Sequence, residues 1–474
     1  MSHEVYENPL CGRYAGKEMQ YIFSDKSKFT TFRKLWVLLA SCEKDLGLPI
    51  TDEQIKELKD HIDDIDFEAA ARIEKEVRHD VMAHVKAYGA QCPNAAKIIH
   101  LGATSCYVGD NTDVILMDKA LKTVIAKTVS VIKNLSEFAL KYADMPTLGY
   151  THFQPAQPTT VGKRATLWIY DLILDLEQLE FARASLRLLG CKGTTGTCAS
   201  FLELFEGDAQ KVKKLEDMIC KAVGIKAQPV SGQTYSRKQD STVIKALSGL
   251  CESAMKFAGD IRLLAHEKEI EEPFEENQIG SSAMAYKRNP MRSERISSLA
   301  RYVLSLVAAP EITAGTQWLE RTLDDSAARR LYIPQSFLAV DGILNLYINI
   351  SQNLVVNEKM IERHLNTELP FMATENILMD AVKRGGDRQE LHEVIRQYSI
   401  KAGEKVKMGE ENDLLQTLCE DERFMLSYEE LQKTLDPKNY VGMAPQQTRE
   451  FIEEYVAPLI KTREAFSQEV EIKV

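Results

Sequence analysis

The spacing of apolar side chains between residues 114 and 142 constrains this chain more than any other feature. Val114, Met117, Leu121, Val124, Thr128, Val131, Leu135, Phe138 and Tyr142 recur at intervals of three and four over four heptads, which places them on one face of a single long helix. The pattern returns at Val243, Leu247, Leu250, Ala254, Phe257, Ile261 and Leu264, and again at Ile333, Phe337, Val340, Leu344, Tyr347, Ser351 and Leu354. Looser versions run through 163–189 and 292–309. Five helices, several of roughly 45 Å at 1.5 Å per residue, predict an all-α fold with an elongated central bundle. Stripes of this length bury more surface than one chain covers, so a homo-oligomer built through the middle region is expected.

Smaller helical domains flank the bundle in this reading. Residues 1–104 form an N-terminal unit, with a helix over Phe29–Leu46 closed by Gly47 and another opening on the capping box Thr51-Asp52-Glu53-Gln54. The long helices occupy 105–356. Residues 357–474 shorten into small helices punctuated by KRGGDR at 383–388 and by Pro437, Pro445 and Pro458. Strand signals are few, and Met145–Gly162, with three prolines, reads as a loop.

A net charge of −11 over 474 residues disfavours general attraction to nucleic acid or anionic membrane, so basic clusters act locally, on small anions. The nine cysteines show no metal-type spacing and no CxxC pair, which favours a reducing compartment. The start of the chain lacks the pattern of a signal peptide, and no stretch suits a bilayer. A cytoplasmic location follows as the expectation.

The helices are densely charged but several connections are not. Ile98–Gly109, Met145–Gly162, Gly193–Leu202, Ala227–Ser236 and Gln278–Tyr286 contain no Lys, Arg, Asp or Glu. Donor-rich uncharged loops at helix ends suit a water-excluding pocket for a polar ligand; tight turns of small residues are the plainer explanation. His152 stands in one such loop, where an imidazole exchanges protons near neutral pH or serves as a hydrogen-bonded structural residue. Arg78-His79-Asp80 reads as a ring-orienting or phosphate-binding triplet, or as a surface salt-bridge cluster. Asp80 and His84 share a helix face, but a metal site there lacks a further ligand.

GSSAMAYKRNPMRSER, from Gly280 to Arg295, sets a serine pair before Lys287, Arg288, Arg292 and Arg295. Cations avoid a helix's first turn, whose dipole is positive, so an anion is expected there. QWLERTLDDSAARR repeats the theme with Arg321, a Thr322-Leu-Asp-Asp capping box, Ser326, Arg329 and Arg330. Two basic sites on different helix ends imply a ligand with more than one anionic group. The acidic run at 267–277 would repel it and reads as a solvated helix end.

GSSAMAYKRNP resembles the serine loop of the fumarase/aspartase superfamily, with Ala285 where that pattern has proline. RYAGKEM, EVRHDVMAHV, IHLGATSCYVGDN, LGYTHFQPAQPTTVGKR, KGTTGTCASF, SGQTYSRK, ERTLDDSAARR and ELPFMATENI extend the resemblance, over nearly the whole chain, to the animal-type adenylosuccinate lyase family. The resemblance implies a homotetramer whose active sites are shared between subunits. It also implies cofactor-free β-elimination of fumarate from adenylosuccinate, giving AMP, and from succinyl-aminoimidazole-carboxamide ribotide, giving the free carboxamide.

Carried over residue by residue, the resemblance makes Ser281 the base and His152 the acid. Lys287, Asn289 and loop amides would meet developing charge, and Thr104, Ser105 and Gln233 the succinyl carboxylates. Arg13, Tyr14, Arg78, His79, Arg295, Arg321, Ser326 and Arg330 would grip phosphate, ribose and carboxylate, with Asp80 beside them and His79 a further candidate for proton transfer. In an up-and-down bundle, His152 and Ser281 fall at one end and Gln233 and Arg321 at the other, so they meet only across chains. An argininosuccinate-type lyase would leave the phosphate-gripping arginines without a task. A helical scaffold without activity would have no use for Ser281, Lys287, Asn289, His152 and His79.

Overall fold

The computed structural model describes residues 4–468 apart from 276, together with 470 and 472. Its outer elements begin with α1 (Asp25–Asp45), ended by Gly47 at φ +99°, and α2 (Asp80–Gln91). The bundle consists of α3 (Ser105–Lys141), α4 (Val161–Ser185), α5 (Lys238–His266), α6 (Met291–Leu306) and α7 (Asp325–Gln352). At 37 residues α3 spans about 55 Å. α8 (Glu358–Met372) opens the C-terminal region. The Thr51 capping box forms as the sequence predicts, while Thr322 does not cap α7, whose N-cap is Asp324.

The heptad positions face inward. Val114, Met117, Leu121, Leu250, Ile261 and Leu344 are fully buried, and across α4, α5 and α7 Trp168 meets Phe257 edge to face while Phe257 stacks on Tyr347. Truncating one such leucine to alanine costs about 2–5 kcal/mol. α7 is long and apolar enough by composition to cross a bilayer, contrary to the sequence reading. It is instead a core helix, with most of its apolar window buried.

Among the described residues three hydrophobic cores form, and two of them cross the boundaries drawn at 104 and 356. The bundle core takes Leu10, Met19 and Ile22 from the start of the chain and Ile452 and Val456 from near its end. The N-terminal core around Trp36 and Tyr88 recruits Cys191, Phe201, Leu215 and Ile219 from the connection between α4 and α5. The third core lies within 373–431.

Met145–Gly162 is not a loop. It forms an antiparallel hairpin of β1 (Pro146–Thr151) and β2 (Gln154–Thr160), pairing Pro146 with Thr160 and Thr151 with Gln154. Both strands of a two-stranded sheet are edges, where prolines need not donate.

Candidate active site

One cleft of about 680 Å³ opens where α2, α3 and α7 begin. It gathers Arg78, His79, Asp80, Ser105, Gln233, Arg321, Ser326 and Arg330, which the sequence scatters over 250 positions. Thr104 adjoins them as the N-cap of α3, and neither it nor Asp324 satisfies a first-turn amide of its helix with its side chain. Converging helix N-termini favour an anion.

Within the cleft, Arg78 ends its helix in the left-handed region at φ +53°, and His79 caps α2. His79 Nδ1 accepts from the Met82 amide at 3.3 Å, which assigns the ring proton to Nε2, 3.2 Å from Ser105 Oγ. Asp80 accepts from Arg330 at 2.7 Å. Burial pushes the Asp80 carboxyl up, but the Val81 amide and Arg330 outweigh it and hold it below the usual range. His84 takes no part. It stacks on Phe29 at 3.5 Å, and burial, followed by Arg33 and Lys28, pushes its imidazole down to about 4.

The cleft floor is a buried ionic network missed by sequence reasoning. Arg237 binds Asp110 at 3.0 Å and Asp325 at 2.6 Å, while Arg321 reaches Asp325 at 3.0 Å. Arg329 binds Asp240 at 2.7 Å and Asp113 at 2.9 Å, and Tyr235 donates its hydroxyl to Asp240 at 2.5 Å. Lys28 was missed too. It lines the cleft with its ammonium over the Phe29 and Phe32 rings, on an otherwise ordinary amphipathic helix that gave no signal.

The remaining candidates lie elsewhere. His152 and Phe153 occupy the centre of the β1–β2 turn, both at φ +55°, a region bulky residues rarely adopt. The turn presents the exposed imidazole at the far end of α3 and α4. Ser281 follows the end of α5, and its half-buried Oγ accepts from the Ala283 and Met284 amides at 3.3 and 3.1 Å. Asn289 closes the neck of that loop by donating to the Gly280 carbonyl at 2.7 Å. Gly280 is required there, because a Cβ would lie 2.1 Å from the Lys287 carbonyl oxygen. Lys287 is exposed and Arg295 half-buried, and neither has an ion-pair partner among the described residues. The 29 residues of α5 set this end about 44 Å from the cleft.

Arg13 and Tyr14 belong to neither end. Their turn packs on the middle of α7, where Gly342 leaves room for the Tyr14 side chain and Asn345 donates to the Tyr14 carbonyl at 3.3 Å. Gly342 stands about 24 Å of helix rise beyond Ser326.

The acidic run at 267–277, whose Glu276 lies outside the described residues, is solvated only in part, with Glu275 exposed. Glu269 is fully buried, and Glu272 accepts from the Arg292 and Ser293 amides, each at 2.9 Å, closing the start of α6. Arg292 is itself buried and engaged by Pro273, Glu275 and Gln278, so it does not await an external anion.

Residues 34–305 match a family model described as lyase, and 370–451 one described as adenylosuccinate lyase C-terminus. The adenylosuccinate lyase of Saccharomyces cerevisiae is 51% identical, the alignment covering 100% of this chain and 99% of that one. That of Schizosaccharomyces pombe is 51% identical, with 95% of each covered, and that of Schistosoma mansoni 47%, with 96% of each. Among solved structures, 3-carboxy-cis,cis-muconate lactonizing enzyme from Pseudomonas putida superposes with a TM-score of 0.81 at 24% identity. It covers 95% of this chain and 99% of its own, and shares the fold.

Proposed function

Because the chain belongs to the adenylosuccinate lyases of the fumarase/aspartase superfamily, we propose that it releases fumarate from adenylosuccinate, giving AMP, and from succinyl-aminoimidazole-carboxamide ribotide, giving the carboxamide. Each reaction removes a proton from the carbon beside a succinyl carboxylate and breaks the C–N bond, whose electron pair is protonated at nitrogen. The barrier lies in the doubly negative intermediate.

Ser281 takes the carbon-bound proton. The two amides directed at its Oγ stabilise the alkoxide form, and Lys287 supplies nearby positive charge. His152 protonates the departing nitrogen from its exposed position on the hairpin. Arg78, His79, Arg321, Ser326 and Arg330 hold the phosphate, ribose and carboxylate end with three helix N-termini. Thr104, Ser105 and Gln233 hold succinyl carboxylates without adding charge. Arg13, Tyr14 and Arg295 complete the grip from another subunit.

The observation that carries this reading is the division of labour along the bundle: anion-binding groups at one end, proton carriers about 44 Å away at the other. Two such ends form one site when chains associate, and we propose a homotetramer. Leu167, Tyr170, Leu174 and Phe181 support it, as an exposed apolar stripe on the outer face of α4. No disulfide joins the described cysteines, in keeping with a cytoplasmic location.

Spectrophotometric assay of the purified protein with both succinyl substrates tests the reading. Ser281→Ala and His152→Ala are expected to lose turnover as intact tetramers; wild-type rates in either variant remove that residue from its role.

A further inference from the structure

We propose that Glu269 is a positioning residue that acts through His152, by clamping the hairpin that presents the imidazole. This rests on His152 being the proton donor, but the clamp itself is read from the geometry alone.

A two-stranded hairpin has little stability of its own, and β1 is further weakened by a register irregularity between Leu148 and Tyr150. Its turn holds two bulky residues in the left-handed region. Something outside the hairpin has to fix it. Glu269 Oε1 accepts the Tyr150 hydroxyl at 3.0 Å and lies 2.9 Å from His364 Nδ1 on α8. Its Oε2 faces Arg164 Nη1 at 3.9 Å, and Arg164 Nη2 donates to the Leu148 carbonyl at 2.5 Å. β1 is therefore gripped two and four residues before His152.

Glu269 also stands at the root of the serine loop. Its carbonyl accepts from the Asn357 amide at 2.8 Å, and β3 (Ile270–Glu271) follows directly. Three residues on, Glu272 closes the start of α6, the helix after the loop. One short segment thus ties the hairpin of His152 to both flanks of the loop of Ser281.

The chemistry of the clamp argues against a purely stabilising role. Glu269 Oε2 and Arg164 Nη1 are buried without hydrogen-bond partners among the described residues. An incompletely satisfied buried ion pair is a poor stabiliser compared with packed apolar side chains. What it provides here is direction, since it fixes Tyr150 and Leu148 to one point.

Tyr150→Phe removes one hydrogen bond with little change in shape, and Glu269→Gln removes the charge. Both are expected to lower kcat about 10- to 100-fold with KM within about twofold, because a shift near 1 Å in a reacting group costs about that much. Wild-type kcat in Tyr150→Phe overturns the proposal, as does a fall confined to KM. Should Glu269→Gln fail to assemble, Tyr150→Phe decides alone.

Subunit mixing then locates the defect. Glu269→Gln mixed with Ser281→Ala is expected to regain turnover, since the second chain supplies a correctly held His152. Glu269→Gln mixed with His152→Ala is expected to stay at or below the residual rate of Glu269→Gln alone, and a rise above that rate overturns the proposal. A control mixture of His152→Ala with Ser281→Ala reports on site sharing. If it stays inactive, that sharing fails and the kcat of Tyr150→Phe still judges the clamp.

Discussion

The two ends of the bundle hold their polar groups in opposite ways. At the cleft, Asp110, Asp240, Asp325, Arg237 and Arg329 are buried in a closed network, and Arg321 and Arg330 lean on carboxylates of the same chain. At the hairpin and serine loop, His152 and Lys287 stand exposed, and Ser281 Oγ meets only backbone amides among the described residues. At one end the charged network finds its partners within its own protomer. The other turns its reactive groups outward, as a half-site awaiting a neighbour would.

Substitutions should therefore fail differently at the two ends. The largest effect belongs to the outward end, where Ser281→Ala and His152→Ala should each lower kcat by about 10²- to 10⁴-fold with the melting temperature unchanged. A drop in stability of the same order at both ends would erase the contrast. Next comes Asp325→Ala, which leaves Arg321 without its carboxylate and Arg237 with Asp110 alone. Chemical denaturation should show a loss of about 3–5 kcal/mol; a loss under 1 kcal/mol would mean the network is dispensable.

The smallest effect lies outside the cleft, at a buried histidine that does not line it. His84 has its imidazole pushed down to about 4 from an ordinary 6.5. Below pH 6.5 the unfolded chain takes up a proton that the folded one refuses. Stability is therefore lost as pH falls from 6.5 towards 4, by at most about 1.4 kcal/mol per pH unit from this residue. His84→Phe should flatten that slope in melting temperature between pH 7 and 5, and an unchanged slope would assign it elsewhere.

The bundle was legible in the sequence because each helix declares its buried face locally, through a period that Val114 to Phe138 keep without interruption. The gathering of Arg78, His79, Ser105, Gln233, Arg321 and Arg330 in one cleft was implied only by the family resemblance, since their loops and helix starts marked donor-rich and basic stretches without bringing them together. What escaped depends on distant partners. Glu269 looks like a solvated acid until Tyr150 and His364 meet it from 119 and 95 residues away. Arg237 finds its aspartates at separations of 88 and 127. The His152 hairpin escaped because its prolines read as strand breakers, which holds for central strands and not for edges.

The central claim is that the cleft of one chain works on the proton carriers of another. A cleft variant carrying His79→Ala and Arg330→Ala, mixed after subunit exchange with Ser281→Ala, tests it most directly. Each parent should be inactive alone, and confirmed mixed tetramers should recover turnover of adenylosuccinate. Lasting inactivity in those mixed tetramers would contradict it.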